Sequence, residues 1–432
     1  MTDTTYLAGL LAPVDDEIDA TDLRVTGTLP AELTGRYFRN GPNPLPGQDP
    51  GHWFAGDGMI HGIQLRDGRA EWYRNRWIRT TRLAGDKFVS DHGVDRAAVS
   101  ANTNVIRHAD KILALVENGF PYEMTPELDT LGAYDFGGKL TSAMTAHPKE
   151  DPRTGELHMF GYGFTAPYLT YHRVSKDGEL VETHVVDVPG PTMMHDFAIT
   201  ENHVIWLDLP MVFDLSLVGS GVAYRWDDGY GARIGVMSKA TKDVRWIDVD
   251  PCYVFHVGNA HEDNGQIVLD AVRYTRERIN AVWGRIGGAA NPASTTGGTT
   301  LYRWTIDPAA GTVKEEQRDD RDVEFPSFNE IRLGRSSQYL YTVTDNAIVK
   351  YDTVTGGSVV RDLGRSPGEA EFVARADALG EDDGWLMSIV TDHSGAGSDL
   401  LILDAASLEH VAAVHLPRRV PAGFHGNWLA DS

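Results

Sequence analysis

Cys252 is the only cysteine in a chain of 432 residues, so no internal disulfide can close and no cluster of thiolates can hold a metal. Any metal would have to sit on histidine, aspartate or glutamate. No apolar run reaches 18 residues, too little for a helix that spans a bilayer. The first 22 residues carry six acids and no lysine or arginine, and so lack the charged and apolar parts of a secretory leader; a cytoplasmic protein is expected. Basic residues are scarce throughout, 39 against 62 acids, which leaves a net charge of −23. Such a surface repels phosphate backbones and anionic headgroups. Nucleic acid is therefore not expected as a partner, and a neutral or apolar small molecule suits the chain better. Nothing in the sequence points to a protein partner.

Sustained helical stripes are also missing. What is present is a succession of short runs rich in Val, Ile, Tyr and Trp, each closed by a turn signal. Gly62 to Leu65 turns at Asp67-Gly68 into Ala70 to Arg74, and Tyr168 to Val174 turns at Asp177-Gly178 into Leu180 to Val186; both read as hairpins. The same pattern continues to Leu400–Leu403 without a break in composition. Evenly spread hairpins predict an all-β chain and suggest a single β-propeller domain over residues 1–432; no blade signature repeats, and periodicity alone also allows a pair of β-sandwiches. At ~45 to 60 residues per four-stranded blade it would hold about seven blades. The longer segments 210–233 and 276–300 are expected as loops that cap one face over a central site.

Most of the 16 histidines belong to ordinary surface or core hydrogen bonds. Four have a different setting, at the start or end of an apolar strand beside small or rigid residues: His147 in Thr145-Ala146-His147-Pro148, His195 in Met194-His195-Asp196-Phe197, His256 in Phe255-His256-Val257, and His425 in Phe424-His425-Gly426-Asn427-Trp428. They are separated by 48, 61 and 169 residues, near one, one and about three blade lengths. Inner strands of different blades could each present one imidazole to a common axis. Four imidazoles suit Fe, Zn, Cu and Ni alike. His61 follows a Gly-rich segment, His108 precedes a turn, His261 abuts acids and His415 precedes a proline turn, and none of them is expected at the metal. Metal-bound imidazoles commonly donate their second N–H to a carboxylate, and Glu117, Glu324 and Glu369 stand in apolar or turn contexts that could supply one.

The segments Phe38-Arg39-Asn40-Gly41-Pro42-Asn43-Pro44 and His52-Trp53-Phe54-Ala55-Gly56-Asp57-Gly58-Met59-Ile60-His61-Gly62 strongly resemble the N-terminal signature of the carotenoid cleavage oxygenases. The resemblance continues through Ala146-His147-Pro148, Met194-His195-Asp196-Phe197, Phe255-His256-Val257, Glu324-Phe325-Pro326 and His425-Gly426-Asn427-Trp428, nearly the whole chain. It implies a seven-bladed propeller with Fe2+ on its axis, held by His147, His195, His256 and His425. By the same matching Glu117 supports His195, Glu324 supports His256 and Glu369 supports His425, while His147 has no carboxylate. Ala55, where many members have Asp, and Ala374, where Pro is common, depart from the pattern without touching the expected ligands.

The implied reaction adds O2 across a conjugated C=C bond of a carotenoid or apocarotenoid to give two carbonyl products, with no catalytic side chain beyond the metal centre. Trp53, Phe54, Val116, Phe120, Tyr162, Phe164, Trp206, Phe255 and Phe424 are candidates to line an apolar tunnel for such a polyene. The apolar segment Leu209 to Val218 could dip into lipid, a peripheral membrane contact at the tunnel mouth. Members of the same family cleave stilbenes or isoeugenol, and those that grip a 4-hydroxyphenyl ring tend to carry lysine just before the supporting glutamate. Here that position is Val116, which favours carotenoids over stilbenes. A propeller that binds ligands without redox chemistry is the reading from another functional class.

Overall fold

The computed structural model describes residues 5–218, 222–283 and 297–431. Its main sheets are seven, arranged as the blades of a β-propeller. Blade 1 holds Gly35–Pro42, Gly58–Arg66, Arg69–Trp77 and the outer strand Asp19–Thr21, with Gly426–Ala430 on its inner edge. Blades 2 to 6 each take four strands in chain order. They begin at Asn104–His108, Lys149–Glu150, Ala198–Ile199, Tyr253–Asp263 and Glu324–Ser327. Blade 7 combines Ser366–Pro367, Glu371–Ala374, Gly384–Thr391, Ser398–Asp404 and His410–His415 with Val25–Gly27 from the opposite end of the chain.

Both chain ends are thereby woven into neighbouring blades. Gly426–Ala430 pairs antiparallel with Gly35–Pro42 from Gly35↔Ala430 to Arg39↔Gly426, and Val25–Gly27 pairs with His410–His415. A ring of sheets has no free edge only when its first and last blades are joined. These two pairings make that join with main-chain hydrogen bonds.

Local sequence explains the strands. Middle strands such as Gly384–Thr391 are buried at every residue, because neighbouring blades cover both faces, and they read as continuous apolar runs. Outer strands such as Leu180–Val186 alternate between exposed and covered positions, as one wet face demands. The Asp67-Gly68 turn places both residues at positive φ, 49° and 72°, the conformation of a two-residue hairpin loop.

Two of the expected loops carry structure of their own. Within 210–233, Met211–Phe213 and Tyr224–Trp226 form a two-stranded ribbon. At the start of 276–300, Arg276–Trp283 is an α-helix; its run of Arg, Glu, Ala and Ile has no Gly or Pro to interrupt it. Residues 284–296 of that segment lie outside the described residues. Among the described residues no helix is long and apolar enough to cross a membrane.

Candidate metal centre

The four histidines sit where inner strands begin, so each ring reaches the propeller axis from a different blade. His147 precedes Lys149–Glu150 of blade 3, His195 precedes Ala198–Ile199 of blade 4, and His425 directly precedes Gly426–Ala430. His256 lies within Tyr253–Asp263, where the pairing register shifts between Val254 and Val257; that bulge turns its ring out of the ladder. Asp196, buried beside His195, accepts the Val257 N–H at 2.8 Å and ion-pairs Lys149 at 2.9 Å, which ties blades 3, 4 and 5 together next to three of the rings.

All four rings are buried and meet. Ring centroids lie 4.6 Å apart for His147–His195 and for His147–His425, 5.2 Å for His147–His256, 5.3 Å for His195–His256 and 4.8 Å for His256–His425. Ligand atoms of His147, His256 and His425 lie within 4.8 Å of one another, and the Nε2 atoms of His147 and His195 are 3.0 Å apart.

Behind the rings stand the three glutamates. His195 Nδ1 is 2.8 Å from Glu117 Oε2, His256 Nδ1 is 2.6 Å from Glu324 Oε2, and His425 Nδ1 is 3.2 and 3.1 Å from the two oxygens of Glu369. Among the described residues His147 has no such carboxylate, and its backbone N–H donates to Thr145 Oγ1 at 3.0 Å. Glu324 is completely buried and also accepts the Tyr274 hydroxyl at 2.6 Å and the Phe325 N–H at 2.5 Å. Phe325 adopts φ +51°, a strained conformation for an aromatic residue, and from it stacks on His256 at 5.1 Å. Gly426 N–H donates to Glu369 at 3.0 Å.

The electrostatics favour neutral rings at His147 and His256 and a charged carboxylate at Glu324. Burial drives His147 far below the ordinary histidine value, and the three neighbouring rings add to this. Burial also lowers His256, although Glu324 opposes it. For Glu324, burial acts to raise the carboxyl, but the His256 contact and the Tyr274 and Phe325 hydrogen bonds outweigh it and hold it below its usual range. His195 differs: burial pulls it down, yet the charge and hydrogen bond of Glu117 win and leave it raised. With Nδ1–H committed to a carboxylate, each supported ring turns its Nε2 lone pair inward. Lone pairs of His147 and His195 facing each other at 3.0 Å need a proton or a cation between them. The donor set therefore fits a divalent transition metal.

A cavity of about 1160 Å³ opens on this cluster, lined by His195, His256 and His425 but not by His147. Seven of the nine proposed tunnel residues line it: Trp53, Phe54, Val116, Tyr162, Phe164, Phe255 and Phe424. The other two lie elsewhere. Trp206, on a middle strand of blade 4, is buried between blades 3 and 4, stacked on Phe197 at 5.5 Å and edge-on to Phe160 at 5.7 Å. Phe120 packs with Leu113, Leu115 and Leu140 in the core between blades 2 and 3. An aromatic residue beside a motif can face either side of a strand, and sequence position does not tell which.

The helix Arg276–Trp283 forms part of the roof: Ala281 and Val282 line the cavity, and the Trp283 indole donates to the Tyr224 carbonyl at 2.8 Å. Tyr274, Tyr224 and Trp283 shape the site without any sequence signal that marks them, and Phe325 is marked only as part of the Glu324-Phe325-Pro326 motif. Of the four histidines set aside, three have partners of their own, His61 with Tyr73, His108 with Glu150 and His415 with Asp399, and His261 lies on the inner strand of blade 5 outside the cluster.

Residues 11–430 match the family described as retinal pigment epithelial membrane protein. A carotenoid cleavage oxygenase of Mycobacterium tuberculosis is 41% identical over 98% of this chain and 97% of that protein. A carotenoid 9,10(9',10')-cleavage dioxygenase of Arabidopsis thaliana is 35% identical over 99% of this chain and 90% of its own length. Among solved structures, the lignostilbene dioxygenase of Pseudomonas brassicacearum superposes with a TM-score of 0.87 at 27% identity, covering 99% of both chains. Seven blades, an axial histidine cluster and these likenesses agree: the chain belongs to the carotenoid cleavage oxygenase family.

Proposed function

We propose that His147, His195, His256 and His425 bind one Fe2+ and that the chain cleaves a conjugated C=C bond of a carotenoid or apocarotenoid with O2. The observation that carries this reading is the junction itself: four buried imidazoles, three backed by carboxylates, at the end of a largely apolar cavity. Bound ferrous iron supplies activation of dioxygen, and both oxygen atoms end in the two carbonyl products. The chain's own residues position and shield. Glu117, Glu324 and Glu369 fix the tautomer and orientation of three rings. Trp53, Phe54, Phe255 and Phe424, packed edge-to-face or tilted at centroid distances of 4.7 to 6.1 Å, exclude water and align one double bond beside the cluster. No side chain near the rings is needed as a general acid or base.

Val116 lines the cavity next to Glu117 and cannot hydrogen-bond a phenol, which favours a polyene over a 4-hydroxystilbene. The likeness to the lignostilbene enzyme keeps stilbene cleavage as the second reading. Exposed Val89, Leu215 and Val218 all line the same cavity, and they support a peripheral lipid contact at its mouth, through which an apolar substrate could enter.

Chromatography of products from apocarotenals and hydroxystilbenes, with iron-loaded protein, tests the reading. Aldehyde or ketone fragments from the polyenes are expected. Faster cleavage of the stilbenes would reverse the substrate assignment, and ligand binding without iron uptake or products would leave a non-catalytic propeller.

A further inference from the structure

Although most of the cavity is apolar, one part of its lining is mixed. Beside Ala143, Phe164 and Val185 this arm carries Arg96, Thr141, Ser142, Thr170 and Thr183. Behind this wall lies His172, fully buried, with Nε2 2.7 Å from Ser142 Oγ and Nδ1 2.9 Å from Thr183 Oγ1. Burial lowers His172 to about 4, so the ring is neutral at ordinary pH and carries a single N–H. Ser142 donates its hydroxyl hydrogen to the Ala143 carbonyl at 2.8 Å. The chain of donors then runs from the Thr183 hydroxyl to His172, and from the His172 Nε2–H to Ser142. One lone pair of Ser142 is left for a ligand that can donate.

Arg96 adds the complementary group. Its guanidinium has no hydrogen-bond or ion-pair partner among the described residues, and the side chain is half-buried. The Arg96 and Ser142 segments run side by side, because Phe120 N–H donates to the Arg96 carbonyl at 2.8 Å while Met144 N–H donates to the Gly119 carbonyl at 3.0 Å. Close approach of the serine is itself built in: a Cβ on Gly161 would come within 2.5 Å of Ser142 Oγ and 2.1 Å of the Ala143 carbonyl. A hydrocarbon laid against such a wall would leave the Arg96 guanidinium without a partner and one Ser142 lone pair unused, which disfavours it. A hydroxyl group offers the complementary chemistry, a hydrogen to donate to Ser142 and a lone pair to accept from Arg96.

We propose that this arm is a subsite for the oxygenated end of the substrate, so that the chain selects polyenes bearing a hydroxyl group remote from the bond cleaved. The substrate class rests on the oxygenase reading above; the polarity of the arm does not. The test uses an apocarotenal with an unsubstituted β-ionone ring and its 3-hydroxy analogue of equal chain length. Binding to the metal-free protein is followed by quenching of tryptophan fluorescence, since Trp53 lines the cavity, and kcat/KM is measured on the iron-loaded enzyme.

The hydroxylated analogue is expected to bind about 10-fold more tightly. Ser142→Ala and Arg96→Met should each bring the ratio of the two affinities to within about twofold, and Arg96→Lys should restore most of it. Equal affinity of wild type for the two ligands would overturn the proposal, as would variants that weaken both ligands alike. Should Arg96→Met fail to fold, the Arg96→Lys and Ser142→Ala ratios decide. If neither polyene is cleaved, the oxygenase reading fails while the affinity ratio still answers for the arm.

Discussion

Replacing Glu324 by glutamine isolates one physical quantity, the charge behind His256. Oε2 of Glu324 takes the hydrogen bonds from His256 and from the Phe325 N–H, and Oε1 takes the one from Tyr274. A glutamine carbonyl placed at Oε2 keeps the first two. Its amide at Oε1 can donate to the Tyr274 oxygen once that hydroxyl rotates, so the shape of the site survives and the charge does not. A hydrogen bond to a charged acceptor is worth about 1.5–3 kcal/mol against about 0.5–1.5 kcal/mol for a neutral one. The difference, about 1–2 kcal/mol, should fall on the basicity of His256 and hence on metal affinity, a loss of roughly 5- to 30-fold. Stability should hardly move, because the tyrosine hydrogen loses its acceptor while a buried charge is removed. The assay is anaerobic titration of metal-free protein with Fe(II) against a competing chelator, beside thermal melting. Iron affinity within twofold of wild type would refute the carboxylate's role. As a contrast, Glu324→Leu strands the His256 and Tyr274 donors and is expected to cost about 2–5 kcal/mol of stability.

Gly426→Ala should destabilise by about 1–3 kcal/mol, since the new methyl would meet the buried Tyr37 hydroxyl at 2.2 Å; chemical denaturation measures the loss, and iron content should fall with it as His425 and Glu369 are pushed apart. Glu262 is held down to about 2: burial acts to raise it, but hydrogen bonds from Thr200, Asn202 and His203 prevail. Its folded value thus lies below the ordinary one, so its contribution is complete above about pH 4.5 and is lost as pH falls towards 2. It is about 1 kcal/mol after solvent screening. Melting curves from pH 6 to pH 3 should accordingly fall less steeply for Glu262→Gln than for wild type. Leu215→Glu and Val218→Glu, at side chains 77% and 59% exposed, should reduce sedimentation with neutral lipid vesicles severalfold while leaving the melting temperature unchanged. Wild type that fails to sediment would dispose of the lipid contact.

Legibility in the sequence followed the range of the interactions. Hairpins such as Gly58–Arg66 with Arg69–Trp77 could be read because their register depends on a turn two residues long. Their spacing suggests about seven blades, and it is the family resemblance that implies the number. How the ring closes could not be read: Gly426–Ala430 finds Gly35–Pro42 across nearly the whole chain, and three-residue strands such as Val25–Gly27 carry no periodicity.

The site divides along the same line. Each histidine stands at a strand boundary beside small or rigid residues, a setting visible in sequence, and the structure brings all four rings together. Facing is not visible in this way. Phe255 and Trp206 both occupy apolar strands, yet one lines the cavity and the other is closed between blades. Tyr274 reaches Glu324 only because blade 5's second strand ends beside blade 6's first, a juxtaposition set by packing. The polar arm is hidden for the same reason. Ser142, His172 and Thr183 come from a loop and two paired strands, and no spacing in the sequence links them. Residues that hold a metal must satisfy one small sphere, which constrains their surroundings enough to leave a local trace. Residues that select a long substrate are spread along its length, and their chemistry becomes legible only when the blades have placed them on one wall.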